Sequence, residues 1–101
     1  MFDKLMQAQQ KAEEVKQRLD TISVTGEAAG GNIRVVATGN KQIKSIEIKG
    51  EFLAAADKEE LEELLVVAVN KALEQAESVS QTEMQAVTKD MLGGLGGMFG
   101  M

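Results

Sequence analysis

The side chains with the clearest chemical potential are basic residues in two helix-forming segments. Lys4, Lys11 and Arg18 lie seven residues apart, and this spacing keeps them on one helical face with a drift of only about 20° per heptad. Such cations can contact phosphate oxygens. A solvated face with ion pairs four residues apart fits the same spacing. The candidate phosphate contacts are Lys4, Lys11, Lys16, Arg18, Lys71 and Lys89.

Carboxylates are densest at Glu59, Glu60, Glu62 and Glu63. Acidic side chains in the first turns of a helix are favoured by the helix dipole. Carboxylates four residues apart, without ligands from a loop, make a weak site for a hard cation. We therefore interpret the cluster as stabilising the start of a helix, and we expect neither a metal nor a cofactor.

The composition argues against an enzyme. The chain contains no His and no Cys, which removes imidazole bases, thiol nucleophiles and the usual zinc ligands. The glycine-rich stretch at residues 26–31 lacks the Gly-Lys-Ser/Thr ending of a phosphate-binding loop and leads into a strand, so it is predicted to be a hairpin turn. We expect no catalysis and no small-molecule substrate.

The charge is distributed unevenly along the 101 residues, which sum to −5. Residues 51–101 contain ten acids and three bases, whereas residues 21–50 carry a net positive charge. The overall sign disfavours non-specific binding to polyanions, so a basic surface is expected only in the N-terminal half. The chain has neither a signal-peptide core nor about 18 consecutive apolar residues. A cytoplasmic protein without membrane contact is predicted.

Hydrophobic periodicity predicts two helices, at residues 2–20 and 57–90. The second segment has no Pro and no Gly. At 1.5 Å per residue it would be about 50 Å long, too long to be buried by one small domain. Part of it should project or lie against another chain. The apolar seam of the first helix is Leu5, Ala8, Ala12, Val15, Leu19 and Ile22.

Three short strands are predicted at residues 21–27, 32–38 and 42–49. The turns between them are short, so the strands must run antiparallel as a meander. Ile33, Val35 and Ala37 alternate onto one face, and Ile43 breaks the alternation of the third strand, which indicates a late start or a bulge.

The predicted fold class is therefore α+β: a helix, a three-stranded antiparallel meander and a long C-terminal helix. Residues 1–90 are expected to form one domain and the Gly/Met-rich residues 91–101 a flexible tail. A single three-stranded sheet leaves one edge and part of one face uncovered, and a second copy of the chain could cover both. A homodimer is predicted.

Several short patterns occur together in this order. The chain opens with Met1-Phe2 and a Gln/Lys-rich helix, followed by Val-Thr-Gly-Glu at residues 24–27 and Gly-x-Ile-x-Val at residues 31–35. Leu-Glu-x-Leu at residues 61–64 precedes Ala-x-Asn-x-Ala at residues 68–72. In this order and spacing the chain resembles the YbaB/EbfC family of nucleoid-associated DNA-binding proteins.

The resemblance implies a tweezer-like homodimer whose helices project as arms. It implies binding to double-stranded DNA with low sequence preference, and a role in nucleoid organisation and gene expression in the cytoplasm. By position, the arms would contact DNA through Lys4, Lys11, Lys16 and Arg18, and also through Lys71 and Lys89. The alternative is a coiled-coil-armed dimer that binds proteins and has no physiological contact with DNA, which the net acidity favours.

Overall fold

The computed structural model of the protein describes residues 2–98, with side-chain surroundings for residues 3–89. The predicted α+β fold is confirmed. The elements in chain order are α1 (Phe2–Thr21), β1 (Ser23–Ala28), β2 (Ile33–Thr38), β3 (Ile43–Ile48), α2 (Gly50–Ala55) and α3 (Lys58–Met98). The bounds of the five predicted elements differ from the observed ones by at most two residues, except at the end of α3, and the short helix α2 was not predicted.

The sheet is the predicted antiparallel meander, with strand order β1-β2-β3. Of the glycine-rich stretch at residues 26–31, residues 26–28 end β1 and residues 29–31 form the predicted hairpin connection. Its residues Gly30 and Gly31 have φ angles of 65° and 90°, which glycine adopts at no steric cost. The irregularity predicted at Ile43 is a β-bulge, because Val36 pairs with Ser45 while Ala37 pairs with Ile43.

The core lies between the sheet and the first half of α3. Ile33, Val35 and Ala37 are fully buried, so the face predicted for β2 is confirmed. Ala68 and Ala72 of α3 pack against them. Small side chains on α3 let its backbone come close to the sheet, and the burial of apolar surface stabilises the contact.

The helix passes mainly across β1 and β2 and leaves β3 less covered. Ile46 lies opposite Val35 and Ile43 opposite Ala37, so both share the core-facing side of the sheet. They are nevertheless 49% and 41% exposed. The bulge thus places Ile43 on the same face as Ile46, and both side chains remain partly in contact with water.

The first helix is buried at its C-terminal end. Val15 and Leu19 of the predicted seam are 1% and 3% exposed, whereas Leu5 is 62% exposed. The helix runs through Thr21, where the first strand was predicted to begin, and the Thr21 hydroxyl donates to the Arg18 carbonyl at 2.7 Å. The last helical turn therefore takes the place of the start of the strand.

The long helix extends to Met98, past its predicted end at Asp90. Each glycine beyond Asp90 lowers helix stability by only about 1 kcal/mol relative to alanine. Without a proline, an established helix adds one hydrogen bond for every further residue. Residues 99–101 lie outside the described part of the chain, and the division into a domain at 1–90 and a flexible tail at 91–101 stays a prediction.

Candidate nucleic-acid interface

The basic side chains of α1 lie on a helical part of the molecule, which we call the arm: α1 together with residues 76–98 of α3. The molecule measures 65 × 23 × 17 Å, so it is elongated. Val15, Leu19 and Ala76 are buried within the arm close to the sheet. Farther out, Leu5, Met6 and Met84 are between 46% and 62% exposed. The outer part of the arm is therefore open to solvent.

The predicted phosphate contacts fall into two groups. Lys4, Lys11 and Lys16 are exposed along α1, and Lys89 is exposed on the outer part of α3. Lys71 is also exposed, but its neighbour Ala72 is buried against the sheet. The structure thus brings five of the six residues to the arm, including Arg18, and places Lys71 beside the sheet.

Arg18 is engaged in an ion pair across the arm. Its Nη1 donates to Oε2 of Glu83 at 2.8 Å. The Arg18 side chain is 52% exposed and that of Glu83 is 23% exposed. This guanidinium therefore joins α1 to α3 and remains accessible on its outer side.

The turn between β2 and β3, residues 39–41, contacts the C-terminal end of α1. The Gly39 amide donates to the Leu19 and Ile22 carbonyls at 3.0 and 3.1 Å. A Cβ at Gly39 would lie 2.8 Å from Leu19 Cδ2 and 3.0 Å from the Leu19 carbonyl oxygen, so a larger residue would require a shift of the Leu19 side chain and of the end of α1. Asn40 Nδ2 donates to the Lys16 carbonyl at 2.8 Å and to Asp20 Oδ1 at 2.5 Å.

The same turn also reaches α3. Lys41 has a left-handed φ of 66° and forms an ion pair with Glu77. The Lys41 hydrogen bond and its positive charge lower the pKa of Glu77, and a hydrogen bond from Gln81 acts in the same direction. None of these contacts was predicted from the sequence, where the one available signal was the Gly-Asn-Lys turn itself.

The acidic cluster lies at the start of α3, as the dipole interpretation requires. Glu59, Glu60, Glu62 and Glu63 are exposed, and Lys58 Nζ lies 3.8 Å from Glu62 Oε1. Within the residues that the structure describes, no group of three or more acidic side chains could hold a metal ion. In the same part of the chain, no helix is long and apolar enough to cross a membrane.

The fold and these side chains define a class: a small α+β protein with a meander sheet and an arm that carries exposed cations. A crystal structure of an uncharacterized protein from Helicobacter pylori has the same fold, with a TM-score of 0.65 and 18% identity. The match covers 86% of this chain and 96% of that one.

The chain belongs to the YbaB/EbfC DNA-binding family, whose model matches residues 1–91. A nucleoid-associated protein of Flavobacterium johnsoniae is 41% identical over 98 residues, which are 97% of this chain and 91% of the relative. Another from Ruminiclostridium cellulolyticum is 41% identical over 93 residues, or 92% and 77% of the two chains. The resemblance found in the sequence is confirmed, and the family is described by DNA binding and not by a reaction.

Proposed function

We propose that this protein is a nucleoid-associated protein that binds double-stranded DNA with low sequence preference and thereby affects nucleoid organisation and gene expression. It would act in the cytoplasm, at the nucleoid. The observation that carries the proposal is the row of exposed cations on α1, Lys4, Lys11 and Arg18, in a chain of the YbaB/EbfC family.

The mechanism is electrostatic. Side chains of the arm contact phosphates and release counterions from the duplex, which favours binding and makes it strongly dependent on salt. Phosphate contacts position a protein on DNA without reading its sequence. The acidic start of α3 opposes binding only weakly at 0.1 M salt, because exposed charges farther apart than about 10 Å are largely screened. The arm itself carries Asp3, Glu13, Glu14 and Asp20 beside its cations, so binding depends on the face of α1 that Lys4, Lys11 and Arg18 share.

The functional unit is a homodimer. β3 is an edge strand, and its core-facing residues Ile43 and Ile46 are 41% and 49% exposed. Leu53 and Val66 are also at least half exposed. An edge strand beside uncovered apolar side chains is the surface that a second copy would bury. Two copies joined there would present two arms, as in a pair of tweezers.

DNA binding is tested by titrating a labelled duplex of arbitrary sequence at two salt concentrations. The variant Lys4→Gln/Lys11→Gln/Arg18→Gln should bind more weakly, whatever the sequence, and show a flatter dependence on salt. Arg34→Gln/Lys49→Gln/Lys58→Gln is the matched control, because it also removes one arginine and two lysines, from exposed residues outside the arm. Equal loss in both variants would contradict the assignment of the arm.

The second candidate function is a protein-binding dimer that has no physiological contact with DNA. It is favoured by the exposed apolar side chains of the arm, Leu5, Met6 and Met84, and by the negative net charge. Absence of DNA binding by the unaltered protein, even at low salt, would support this candidate and reject the first one.

A further inference from the structure

Glu83 faces Arg18, one of the proposed phosphate contacts. The two residues are 65 positions apart in sequence, and Arg18 Nη1 lies 2.8 Å from Glu83 Oε2. The two helices that carry them contact each other, and Val15 and Leu19 near Arg18 are buried. In contrast, the Lys58–Glu62 pair joins residues four apart on one helix, is longer at 3.8 Å and is more exposed. The Arg18–Glu83 pair is thus part of the tertiary structure of the arm.

We propose that Glu83 weakens the binding of DNA by occupying Arg18, and so sets the strength of this phosphate contact. The inference rests on the proposed function. It adds an acidic residue of α3 to the determinants of affinity, alongside the cations of α1.

The geometry supports competition between the carboxylate and a phosphate. A guanidinium has five N–H donors, and the Arg18 side chain is 52% exposed, so its outer donors can reach a phosphate while Nη1 remains on Glu83. In that arrangement the Glu83 carboxylate lies close to the phosphate and repels it. If Arg18 turns fully to the DNA, the ion pair is lost instead. Either route reduces the affinity.

The test measures the dissociation constant of a labelled duplex by fluorescence anisotropy at low and moderate salt. Glu83→Gln keeps the shape and an acceptor for Arg18 but removes the charge. We expect it to bind about twofold to fivefold more tightly, the range that corresponds to an exposed ion pair. Its salt dependence should steepen by up to about 0.9, the value for one added phosphate contact.

Two controls separate this effect from a general change in charge. Glu13→Gln removes one negative charge from an exposed position on α1 and should have a smaller effect than Glu83→Gln. In a chain that already carries Arg18→Gln, the increase in DNA affinity caused by Glu83→Gln should fall to that of the Glu13→Gln control. This dependence on Arg18 is a coupling that a double-mutant cycle measures.

The outcomes are distinct. If the unaltered protein binds no DNA, the proposed function fails, and the inference fails with it. If the unaltered protein binds DNA but Glu83→Gln leaves the affinity unchanged or weakens it, the inference alone is overturned. It is also overturned if Glu83→Gln increases the affinity by the same factor in a chain that carries Arg18→Gln. Thermal unfolding of each variant is measured beside the titrations to show that it folds. If Glu83→Gln does not fold, Glu83→Ala replaces it and should give the same order of affinities.

Discussion

The two halves of α3 pack in different ways. Over the sheet, its alanines Ala68 and Ala72 are fully buried against β1 and β2. In the arm, the outer part of α3 contacts α1 near Arg18, while Met84 remains 46% exposed. The same helix therefore serves as a core element at one end and as a solvated surface at the other.

Because of this difference, we expect the first half of α3 to determine folding stability and the arm to determine DNA binding. Apolar close packing tolerates little change in volume, so the residues beneath the first half of α3 should control folding. The arm is joined to the β2–β3 turn by a hydrogen bond from Asn40 and an ion pair of Lys41, and its two helices are joined by the Arg18–Glu83 ion pair. Substitutions at these residues should alter the attachment and the charge of the arm, and they should lower the free energy of unfolding less.

The largest effect is expected at Gly26, where α3 crosses β1. A Cβ at this position would lie 2.3 Å from the Ala68 carbonyl oxygen and 2.4 Å from the Ala72 amide nitrogen. Since both are backbone atoms, Gly26→Ala should force the helix off the sheet and lower the free energy of unfolding by about 3 kcal/mol. Urea denaturation measures this.

Gly50→Ala is the matched control, because a Cβ at Gly50 meets nothing within 4 Å. At this first residue of α2, alanine should leave the stability unchanged or raise it by up to about 1 kcal/mol. Similar losses in the two variants would show that the closeness of α3 to the sheet does not limit stability.

The next largest effect concerns the open side of the sheet. Ile46→Asp should leave the monomer folded, because Ile46 is already 49% exposed, but it would place a charge in the proposed dimer interface. The dissociation constant of the dimer should rise at least about tenfold, which corresponds to about 1.4 kcal/mol. Sedimentation equilibrium at micromolar concentration measures it.

Ser45→Asp provides the comparison on the opposite face of β3, where Ser45 is exposed. It should leave the association unchanged. A monomer in the unaltered protein, or equal effects of the two aspartates, would reject this face as the site of dimerisation.

A smaller effect is expected from Asn40→Ala. The change removes two hydrogen bonds to α1, at the Lys16 carbonyl and Asp20 Oδ1, and should lower the free energy of unfolding by about 1–2 kcal/mol. Hydrogen exchange in α1 should become faster. Gln42→Ala, at an exposed position two residues away, should have little influence on either measurement.

The smallest effect is the pH dependence at Glu77. Lys41 lowers the pKa of this carboxyl in the folded protein. The resulting stabilisation is present above the ordinary carboxyl range and is lost as the pH falls through the lowered pKa of Glu77. The difference in stability between the unaltered protein and Glu77→Gln should therefore shrink on acidification. Because the pair is exposed, the effect should be weak, and high salt should reduce it further.

Part of the candidate site could be predicted from the sequence. The heptad spacing of Lys4, Lys11 and Arg18 placed these cations along α1, where the structure has them. Lys71 follows the same helical reasoning, yet it lies beside the sheet, because its neighbour Ala72 is buried there. A helical period specifies the face of a residue on its own helix, and not the element against which that face packs.

Local sequence determined the elements, since turn residues, alternation and helix formers act over a few positions. The burial of Ile33, Val35 and Ala37 follows from such a pattern. Only the tertiary structure decided that α3 leaves Ile46 uncovered, that Arg18 pairs with Glu83, and that Asn40 and Lys41 connect the hairpin to both helices. These contacts join residues 20 or more positions apart, and they depend on the close approach of α3 at Gly26 and of α1 at Gly39.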